Sequence, residues 1–333
     1  MKFLITGAYG FVGTNLCKYL VEKGHECHAL DVPTVKRDDV PYSSFTTWDG
    51  LTEFITHHSS LPTPFDAVVH LAGKAHDLKK VASEQSYFDI NVGLTEKIFN
   101  AFARHGSSLP RSFIYFSSSK ASADGNAYGR SKLAAEEFLR SSCASHPSPM
   151  QVVILRPAMI HGPGNKGNLN LLWGVARRGI PWPLAAFENK RSFTSIGNIC
   201  AAVEAIAERT EERNGMNGGD TLFAQHSPLN IHTFGVADDD MLSTNRLMEL
   251  ITETCGKRAR LWRLPKGLMR LGARIGDVLH LPLTTERIEK LTEDSFVDNS
   301  QLKRMLGWQK MPIAAEDGMR LTLKSFMKGG SRE

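Results

Sequence analysis

The chain has 333 residues, of which 41% are hydrophobic and 23% charged, and its net charge at neutral pH is +5. This composition is that of a globular protein with enough residues for one large domain or two smaller ones. The mild positive charge suits an anionic small molecule, and without a basic run it gives no reason to expect nucleic acid as a partner. The five scattered cysteines lack CxxC spacing, so we expect reduced thiols, no disulfide framework and no metal site.

No segment of the sequence predicts targeting or membrane insertion. An apolar run begins at residue 3, which leaves no room for a signal peptide. No apolar run approaches the roughly 18 residues that are needed to span a bilayer. We therefore expect a cytoplasmic protein without stable membrane insertion.

The N-terminal stretch KFLITGAYGFVG predicts a strand, a glycine-rich turn and a helix. Residues 3–5 form a short apolar run that is typical of a buried parallel strand, and glycines follow at positions 7, 10 and 13. Glycine lets the backbone turn tightly and approach a ligand, while the helix N-terminus presents unpaired N–H groups to an anion. The turn is therefore a candidate phosphate site.

The second predicted strand, Glu26–Leu30, ends at Asp31. An acid at this point, about 20 residues after the glycines, is the expected acceptor for the ribose hydroxyls of a dinucleotide. Because a carboxylate repels a 2′-phosphate, NAD is favoured over NADP as the cofactor. Lys36 and Arg37 lie just downstream, where they could bind such a phosphate, so NADP remains the alternative.

Strands and helices alternate as far as residue 157. Further strands are predicted at residues 44–49, 65–73, 112–116 and 151–155, with helices at about 84–105 and from Tyr128 onward. This alternation predicts an α/β fold with a doubly wound parallel sheet of the Rossmann type, whose ligands lie at the carboxyl ends of the strands. Residues 1–157 are the expected NAD-binding domain.

The second half, residues 158–333, has a looser pattern of Gly- and Pro-rich loops and short helices. We predict a smaller C-terminal substrate-binding cap here, with some later segments returning to the main sheet. Residues 214–240 are rich in loop-forming residues and give no clear register. Residues 265–279 predict a basic amphipathic helix that is half-buried, and a helix lying on a membrane surface is the alternative.

The sequence YGRSK opens a helix in which Tyr128 and Lys132 lie one turn apart on one face. A phenol with a pKa of about 10 is a poor base at neutral pH. A close ammonium favours the phenolate, as does the positive nicotinamide ring of an oxidised cofactor. Tyr128 is therefore the predicted acid/base group of a hydride-transfer reaction, and Ser119 is placed to hydrogen-bond the same substrate oxygen.

With these residues in place, the chain resembles the extended short-chain dehydrogenase/reductases, the nucleotide-sugar epimerase/dehydratase family. The resemblance covers nearly the whole chain and is carried by TGAYGFVG, VVHLAGKAH, YFDINVG, YFSSS, YGRSK, LRPAMIHGPG, KRSFTSIGNI and VDNSQLKRMLGW. It implies a catalytic set of Ser119, Tyr128 and Lys132. It also implies a homodimer that pairs through the helices near Asn91 and Tyr128.

The resemblance implies the ligand contacts as well. Arg191 matches a family arginine that binds the phosphates of a sugar nucleotide, here a UDP-sugar. The implied cofactor contacts are Gly7, Tyr9, Gly10, Phe11, Val12, Gly13, Asp31, Asp49, Gly50, Leu71, Ala72, Gly73, Asn91, Ser117, Tyr128, Lys132 and Pro157. The implied substrate contacts are Lys74, Ser118, Ser119, Lys166, Asn168 and Arg191.

Missing residues narrow the expected reaction. Related 4,6-dehydratases carry an Asp-Glu pair directly after the catalytic hydroxyl residue, whereas Ser119 is followed by Lys120 and Ala121. We therefore expect redox at C4 of a UDP-hexose or UDP-HexNAc derivative. The segments RSFTSIGNI and GIPWPL resemble those of enzymes of bacterial surface-polysaccharide synthesis, which implies a role there. The alternatives are a 4-ketoreductase of a UDP-4-keto-6-deoxy-sugar with exchangeable NAD(P)H, a reductase of a non-sugar carbonyl and, last, a non-catalytic dinucleotide-binding protein.

Overall fold

The computed structural model describes residues 1–35, 39–59, 65–75, 83–103, 109–146, 148–165, 168–215, 230–279 and 284–329. The chain forms two compact units. Unit 1 comprises Met1–Pro157, Ile199–Val236 and Asn299–Gln309, and unit 2 comprises Ala158–Asn198, Ala237–Asp298 and Lys310–Glu333. That residues 1–157 bind NAD and residues 158–333 mainly bind the substrate stays a prediction.

Unit 1 is built on a seven-stranded parallel sheet. Its strands are β1 (Lys2–Thr6), β2 (Glu26–Leu30), β3 (Ser44–Thr46), β4 (Ala67–His70), β5 (Ser112–Phe116), β6 (Gln151–Pro157) and, after two strands of unit 2, β9 (Ile231–Val236). They lie in the order β3-β2-β1-β4-β5-β6-β9, and every pair is parallel. The predicted doubly wound α/β fold is confirmed.

Helices make up most of the remaining regular structure of the described residues. They are α1 (Phe11–Glu22), α2 (Leu51–Ser59), α3 (Glu84–Asn91), α4 (Gly93–Ala103), α5 (Ala127–Ser145), α6 (Asn168–Arg177), α7 (Ile196–Gly215), α8 (Thr244–Thr254), α9 (Lys266–Leu279), α10 (Thr285–Thr292), α11 (Ser300–Leu306) and α12 (Ala315–Gly329). The single helix predicted at 84–105 is two helices, α3 and α4, because Gly93 is a poor helix former and the chain turns at Val92.

The core of unit 1 holds α5 against the sheet. Phe113 and Tyr115 of β5 are fully buried in a cluster that also contains Phe99 of α4 and Leu139 of α5. Ala135 of α5, also fully buried, belongs to the same cluster. The apolar side of α5 is therefore fixed by packing, and this determines where its polar residues point.

Unit 2 contains a two-stranded parallel sheet that the sequence did not predict. It pairs β7 (Met159–His161) with β8 (Phe193–Ser195). The core of the unit is a separate apolar cluster that includes Trp173, Trp182 and Met248. Strands of three residues carry too little periodicity to be seen in a sequence.

Candidate active site

The turn between β1 and α1 is shaped by two close backbone approaches. Gly7 has a φ of +66°, and a Cβ there would lie 2.8 Å from the backbone nitrogen of Ala72. A Cβ at Gly13 would overlap the carbonyl oxygen of Gly7. Gly10 is the N-cap of α1 and makes no side-chain cap hydrogen bond. The first N–H groups of α1, which include those of Phe11 and Val12, are thus presented to an anion.

Asp31 is held in place at the end of β2 by backbone N–H groups. Its Oδ2 accepts a hydrogen bond from the Tyr9 N–H at 3.0 Å, and its Oδ1 accepts from the Val32 N–H at 2.8 Å. The residue is partly exposed. A carboxylate oxygen has two acceptor positions, so each oxygen retains one for a ligand hydroxyl.

Two of the implied cofactor contacts lie beyond β3, which is shorter than the predicted strand. Asp49 and Gly50 therefore lie in the bend between β3 and α2, where Asp49 is exposed. The Gly50 N–H donates to the Thr47 hydroxyl at 3.4 Å.

The turn after β4 is tied down by the side chain of Asn91. The Asn91 Oδ1 accepts from the Lys74 N–H at 2.7 Å, and its Nδ2 donates to the Lys74 carbonyl at 3.1 Å and to the Ser131 hydroxyl at 2.8 Å. The amide thus links the turn formed by Leu71, Ala72 and Gly73 to α5. A Cβ at Gly73 would lie 2.8 Å from the Asn91 Oδ1 and 3.1 Å from the Lys132 Nζ.

Lys74 itself is engaged by neighbouring residues of unit 1. Its Nζ donates to the Ser86 hydroxyl at 3.0 Å and lies 5.2 Å from the centre of the Tyr87 ring. The predicted contact of Lys74 with substrate stays a prediction.

Lys132 is a buried ammonium beneath the end of β5. Its Nζ donates to the Phe116 carbonyl at 2.7 Å and lies 4.9 Å from the centre of the Tyr115 ring, and the residue is 6% exposed. Burial lowers the pKa of Lys132 to about 8, and the charge of Glu136 acts in the opposite direction. At neutral pH the ammonium is therefore still the main form.

Tyr128 lies at the first turn of α5, which the Asn126 side chain caps by accepting from the Gly129 N–H at 3.0 Å. Burial raises the pKa of the Tyr128 phenol, and a hydrogen bond with the Ser118 side chain lowers it. In the protein alone, desolvation of the phenolate outweighs this hydrogen bond. That Lys132 and an oxidised cofactor bring the pKa below its ordinary value stays a prediction.

The three serines after β5 have different environments. Ser117 is buried and its hydroxyl donates to Glu136 Oε1 at 2.5 Å. Ser118 is buried and contacts Tyr128. Ser119 is exposed, and its N–H donates to the Pro157 carbonyl at 3.0 Å. The hydroxyl of Ser119 is therefore open to a ligand, whereas Ser118 is the serine that holds the phenol.

Glu136 is a fully buried carboxylate that the sequence analysis did not identify. Besides Ser117, it accepts hydrogen bonds from Arg156 Nε at 2.8 Å and from Arg156 Nη2 at 2.6 Å. It follows Lys132 by four residues, so the two side chains share one face of α5. The sequence feature that could have identified Glu136 is an acidic residue four positions after the lysine on the same helix.

The substrate residues predicted in the second half lie in unit 2 or outside the described residues. Arg191 is half-buried, and its Nη1 donates to the Lys290 carbonyl at 2.7 Å. Burial lowers the pKa of Arg191, and the charge of Glu293 opposes that effect. Lys166 lies outside the described residues, and Asn168 is the first residue of α6 with a side chain that also lies outside them.

The residues of unit 1 fit a dinucleotide. An uncapped helix N-terminus suits a diphosphate, and an oriented carboxylate at Asp31 suits a ribose diol. The buried ammonium of Lys132 and the phenol of Tyr128 supply a cation and a proton-transfer group on the same helix.

Comparisons with known proteins agree with this chemistry. Residues 3–217 match the NAD dependent epimerase/dehydratase family. The UDP-glucose 4-epimerase of Vibrio cholerae is 28% identical over 355 residues, which cover 99% of this chain and 97% of that protein. The N-acetyl-alpha-D-glucosaminyl-diphospho-ditrans,octacis-undecaprenol 4-epimerase of Escherichia coli O157:H7 is 28% identical over 290 residues, which cover 83% of this chain and 79% of that protein.

A solved structure has the same fold. The Bordetella bronchiseptica enzyme WbmG in complex with NAD and UDP superposes with a TM-score of 0.68 at 19% identity, over 99% of this chain and 96% of that chain. The family match covers well over half of the 333 residues. The chain therefore belongs to the NAD-dependent epimerase/dehydratase family and is an enzyme whose cofactor is NAD.

Proposed function

We propose that this enzyme catalyses redox at C4 of a UDP-activated sugar, as a 4-epimerase of a UDP-hexose or UDP-HexNAc derivative. The observation that carries the proposal is a buried ammonium, Lys132, one helical turn from a half-buried phenol, Tyr128, on α5. Burying a charge costs several kcal/mol even after relaxation. A protein that only bound a dinucleotide would have no need of a phenol placed one helical turn from that charge. The names of the Vibrio cholerae and E. coli relatives support a 4-epimerase.

In this proposal Tyr128 takes the proton of the C4 hydroxyl and later returns it. Bound NAD supplies the hydride acceptor and donor. Lys132 holds the nicotinamide ribose and stabilises the phenolate electrostatically, because its pKa of about 8 leaves it charged at neutral pH. Ser118 orients the phenol, and the exposed Ser119 hydroxyl aligns the C4 oxygen.

The remaining residues of unit 1 are proposed to bind the cofactor. The N-terminus of α1 holds the diphosphate, and Asp31 accepts hydrogen bonds from the ribose hydroxyls. Asn91 acts through the turn after β4, since its amide is hydrogen-bonded to Lys74 and Ser131. Ser117 is likewise proposed to act indirectly, since its hydroxyl donates a hydrogen bond to Glu136.

Arg191 is proposed to bind the diphosphate of the UDP-sugar. A guanidinium presents two parallel N–H groups to a phosphate, and this geometry suits a bidentate contact. Its Nη1 already donates to the Lys290 carbonyl, which limits the orientations of the fork. Lys166 and Asn168 are proposed as further substrate contacts.

Dehydration is not part of the proposal. The residues after Ser119 are an exposed lysine, Lys120, and a buried alanine, Ala121. Neither is a carboxylic acid, whereas the related dehydratases place an Asp-Glu pair at this point to protonate the leaving C6 hydroxyl. The alternative within the same chemistry is a 4-ketoreductase, which would consume NADH in each turnover.

A substrate panel tests the proposal and separates these two reactions. The purified enzyme with bound NAD is incubated with UDP-Glc, UDP-GlcNAc or a UDP-4-keto-6-deoxy-sugar, and products are followed by nuclear magnetic resonance. An epimerase converts one of the first two sugars without added NADH. A reductase acts on the keto sugar and consumes one NADH for each product molecule. Inactivity towards all three would remove the proposed UDP-sugar substrate.

A second candidate substrate is a sugar linked through diphosphate to a polyprenol. The name of the E. coli O157:H7 relative includes such a substrate. The specific observation that favours it here is a row of exposed leucine and isoleucine side chains on α9, since a water-soluble sugar nucleotide requires no such surface. Adding a short-chain polyprenyl diphosphate sugar to the panel tests this candidate.

The homodimer and the role in polysaccharide synthesis are proposed on the resemblance, and the cytoplasmic location on the expected reduced thiols. We propose a cytoplasmic homodimer, paired through α3 and α5, that contributes to bacterial surface-polysaccharide synthesis. Light scattering coupled to size-exclusion chromatography measures the mass of the protein in solution. A monomer mass would contradict the proposed pairing.

A further inference from the structure

Helix α9 exposes apolar side chains along one face. Leu268, Leu271, Ile275 and Leu279 are between 49 and 62% exposed with all described residues present. Their spacing of three, four and four residues places them on one stripe of the helix. The sequence predicts a half-buried helix with these four residues on its apolar side, whereas the structure leaves their side chains largely exposed.

A different face attaches α9 to unit 2. Met269 is 7% exposed and Ala273 is 1% exposed, and both belong to the apolar core of that unit. The positions of these two residues fall about 120° around the helix from the exposed stripe, at 100° per residue. Packing of α9 therefore leaves the exposed leucines available for another partner.

The segment that contains α9 carries a concentrated positive charge. Residues 257–279 contain seven Lys or Arg residues and one Asp, a net charge of +6, whereas the whole chain carries +5. Arg263, Arg270 and Arg274 are exposed, and Trp262, the residue before Arg263, is 54% exposed. Exposed tryptophan and basic residues around an apolar stripe are the composition of helices that lie at a lipid interface.

We propose that α9 docks the protein on the surface of an anionic lipid bilayer. The helix lies in the plane of the interface with Leu268, Leu271, Ile275 and Leu279 among the acyl chains, and its basic residues contact the headgroups. None of the helices that the structure describes is long and apolar enough to cross a membrane. The docking is therefore peripheral and reversible.

Charge favours a bilayer over a second copy of this chain as the occupant. In a two-fold interface the same face meets itself, so two copies of α9, each with three basic residues (Lys266, Arg270 and Arg274) and one acid (Asp277), would lie against each other. Like charges at close range repel, and desolvation strengthens the repulsion. Anionic lipid headgroups instead neutralise the segment.

Sedimentation with vesicles tests the proposal on the full-length enzyme. Vesicles of pure phosphatidylcholine are compared with equimolar phosphatidylcholine and phosphatidylglycerol. We expect binding to the anionic vesicles, little binding to the neutral ones and weakening as salt is raised.

Matched variants locate the surface. The double change Leu271→Ser and Ile275→Ser is expected to weaken partitioning about tenfold or more, because two apolar contacts with the acyl region are lost. The double change Leu321→Ser and Met327→Ser removes two equally exposed apolar side chains from α12 and is expected to have no effect. Arg270→Gln with Arg274→Gln should weaken binding to anionic vesicles roughly 10- to 30-fold. Arg304→Gln with Lys310→Gln changes the net charge equally and should have much less effect.

Three results would overturn the proposal. They are absence of binding to the anionic vesicles, equal loss of binding in the α9 and control variants, and dissociation of a lipid-free oligomer by Leu271→Ser with Ile275→Ser. The last result would assign the face to a second copy. Because the substituted side chains are exposed, each variant is expected to keep the melting temperature of the parent, which is checked beside each sedimentation.

Discussion

Helices α5 and α9 depart in opposite directions from the usual distribution of polar and apolar residues. On α5 the polar residues Ser131, Lys132 and Glu136 are buried, whereas on α9 leucines such as Leu268 and Leu271 are exposed. Lys and Glu are almost never fully buried without partners, and an isolated exposed leucine is ordinary, but a whole stripe is not. Each helix therefore carries an arrangement that folding alone does not favour.

The buried polar residues of α5 have partners within the chain, whereas the exposed leucines of α9 have no covering residues in the described chain. On α5 the chain itself supplies partners, namely the Phe116 carbonyl for Lys132 and the Arg156 guanidinium for Glu136. On α9 the described chain supplies no cover for the stripe. The difference indicates that the site on α5 is assembled before its ligand binds. The exposed surface of α9, in contrast, is one that a partner would complete.

The largest expected effect comes from removing the proposed proton-transfer group of α5. Tyr128→Phe keeps the ring and its packing but removes the hydroxyl, so kcat should fall about 10²- to 10⁴-fold. Calorimetric titration should show that NAD still binds, because the hydroxyl is assigned to the substrate proton and the ring, an implied cofactor contact, is kept. A kcat near that of the parent enzyme would mean that the buried groups of α5 serve another purpose.

The contribution of the buried Glu136 carboxylate to the free energy of unfolding can be measured. Breaking a buried ion pair costs roughly 3–5 kcal/mol, and Glu136→Gln should lie near the lower value because Arg156 is partly exposed and can be hydrated. Urea unfolding gives this difference. Glu137→Gln is the matched control, since Glu137 is the exposed neighbour on the same helix.

The same variant has an expected pH signature. Glu136 raises the pKa of Lys132 against the lowering by burial, and the result is about 8. Without the carboxylate this pKa falls, so the ammonium is lost at a lower pH and the alkaline limb of the kcat/KM profile moves to lower pH. An unmoved limb, together with lost stability, would reduce Glu136 to a structural role.

A substitution outside both helices separates cofactor binding from chemistry. Asp31→Ala removes an acceptor for the ribose hydroxyls, and NAD should bind about 10- to 100-fold more weakly, since hydrogen bonds to charged groups contribute roughly 1.5–3 kcal/mol. NADP, which carries a phosphate there, should lose less affinity. Asp39→Ala, an exposed acid of the same unit, is the control. Equal losses for NAD and NADP would contradict the ribose contact.

The smallest predicted effects distinguish two adjacent serines. Ser118 contacts the Tyr128 phenol and lowers its pKa, so Ser118→Ala should raise that pKa and shift the acidic limb of the kcat profile to higher pH. Ser119→Ala should instead lower kcat about tenfold without moving the limb, because its exposed hydroxyl is assigned to the substrate oxygen. The reverse pattern would exchange the two roles.

Sequence patterns predicted the sheet of unit 1 well because its central strands, such as β4 and β5, are fully buried and contain apolar runs. They did not predict β9, since its sequence IHTFGV mixes polar and apolar residues inside a loop-rich stretch. They also merged α3 and α4, because the apolar periodicity continues across the turn at Val92. Fold type thus follows from local pattern, whereas boundaries depend on single residues.

In the candidate site, too, spacing along the chain was predictable, whereas details that depend on tertiary packing were not. Spacing predicted the shared face of Tyr128 and Lys132, but the choice between Ser118 and Ser119 as partner of the phenol depends on how the chain turns after β5. The pattern of α9 predicted an amphipathic helix. It could not show that Met269 and Ala273 would enter the core and leave the leucine stripe outside, because tertiary packing selects the buried face.

Isotope retention at C4 tests the central claim most directly. The enzyme with bound NAD is given UDP-glucose or UDP-GlcNAc that carries deuterium at C4, and the product is analysed by mass spectrometry and nuclear magnetic resonance. Redox at C4, with Tyr128 moving only the hydroxyl proton, predicts an epimerised product that keeps its deuterium and does not form with Tyr128→Phe. Epimerised product that has exchanged the deuterium for solvent hydrogen would contradict the account.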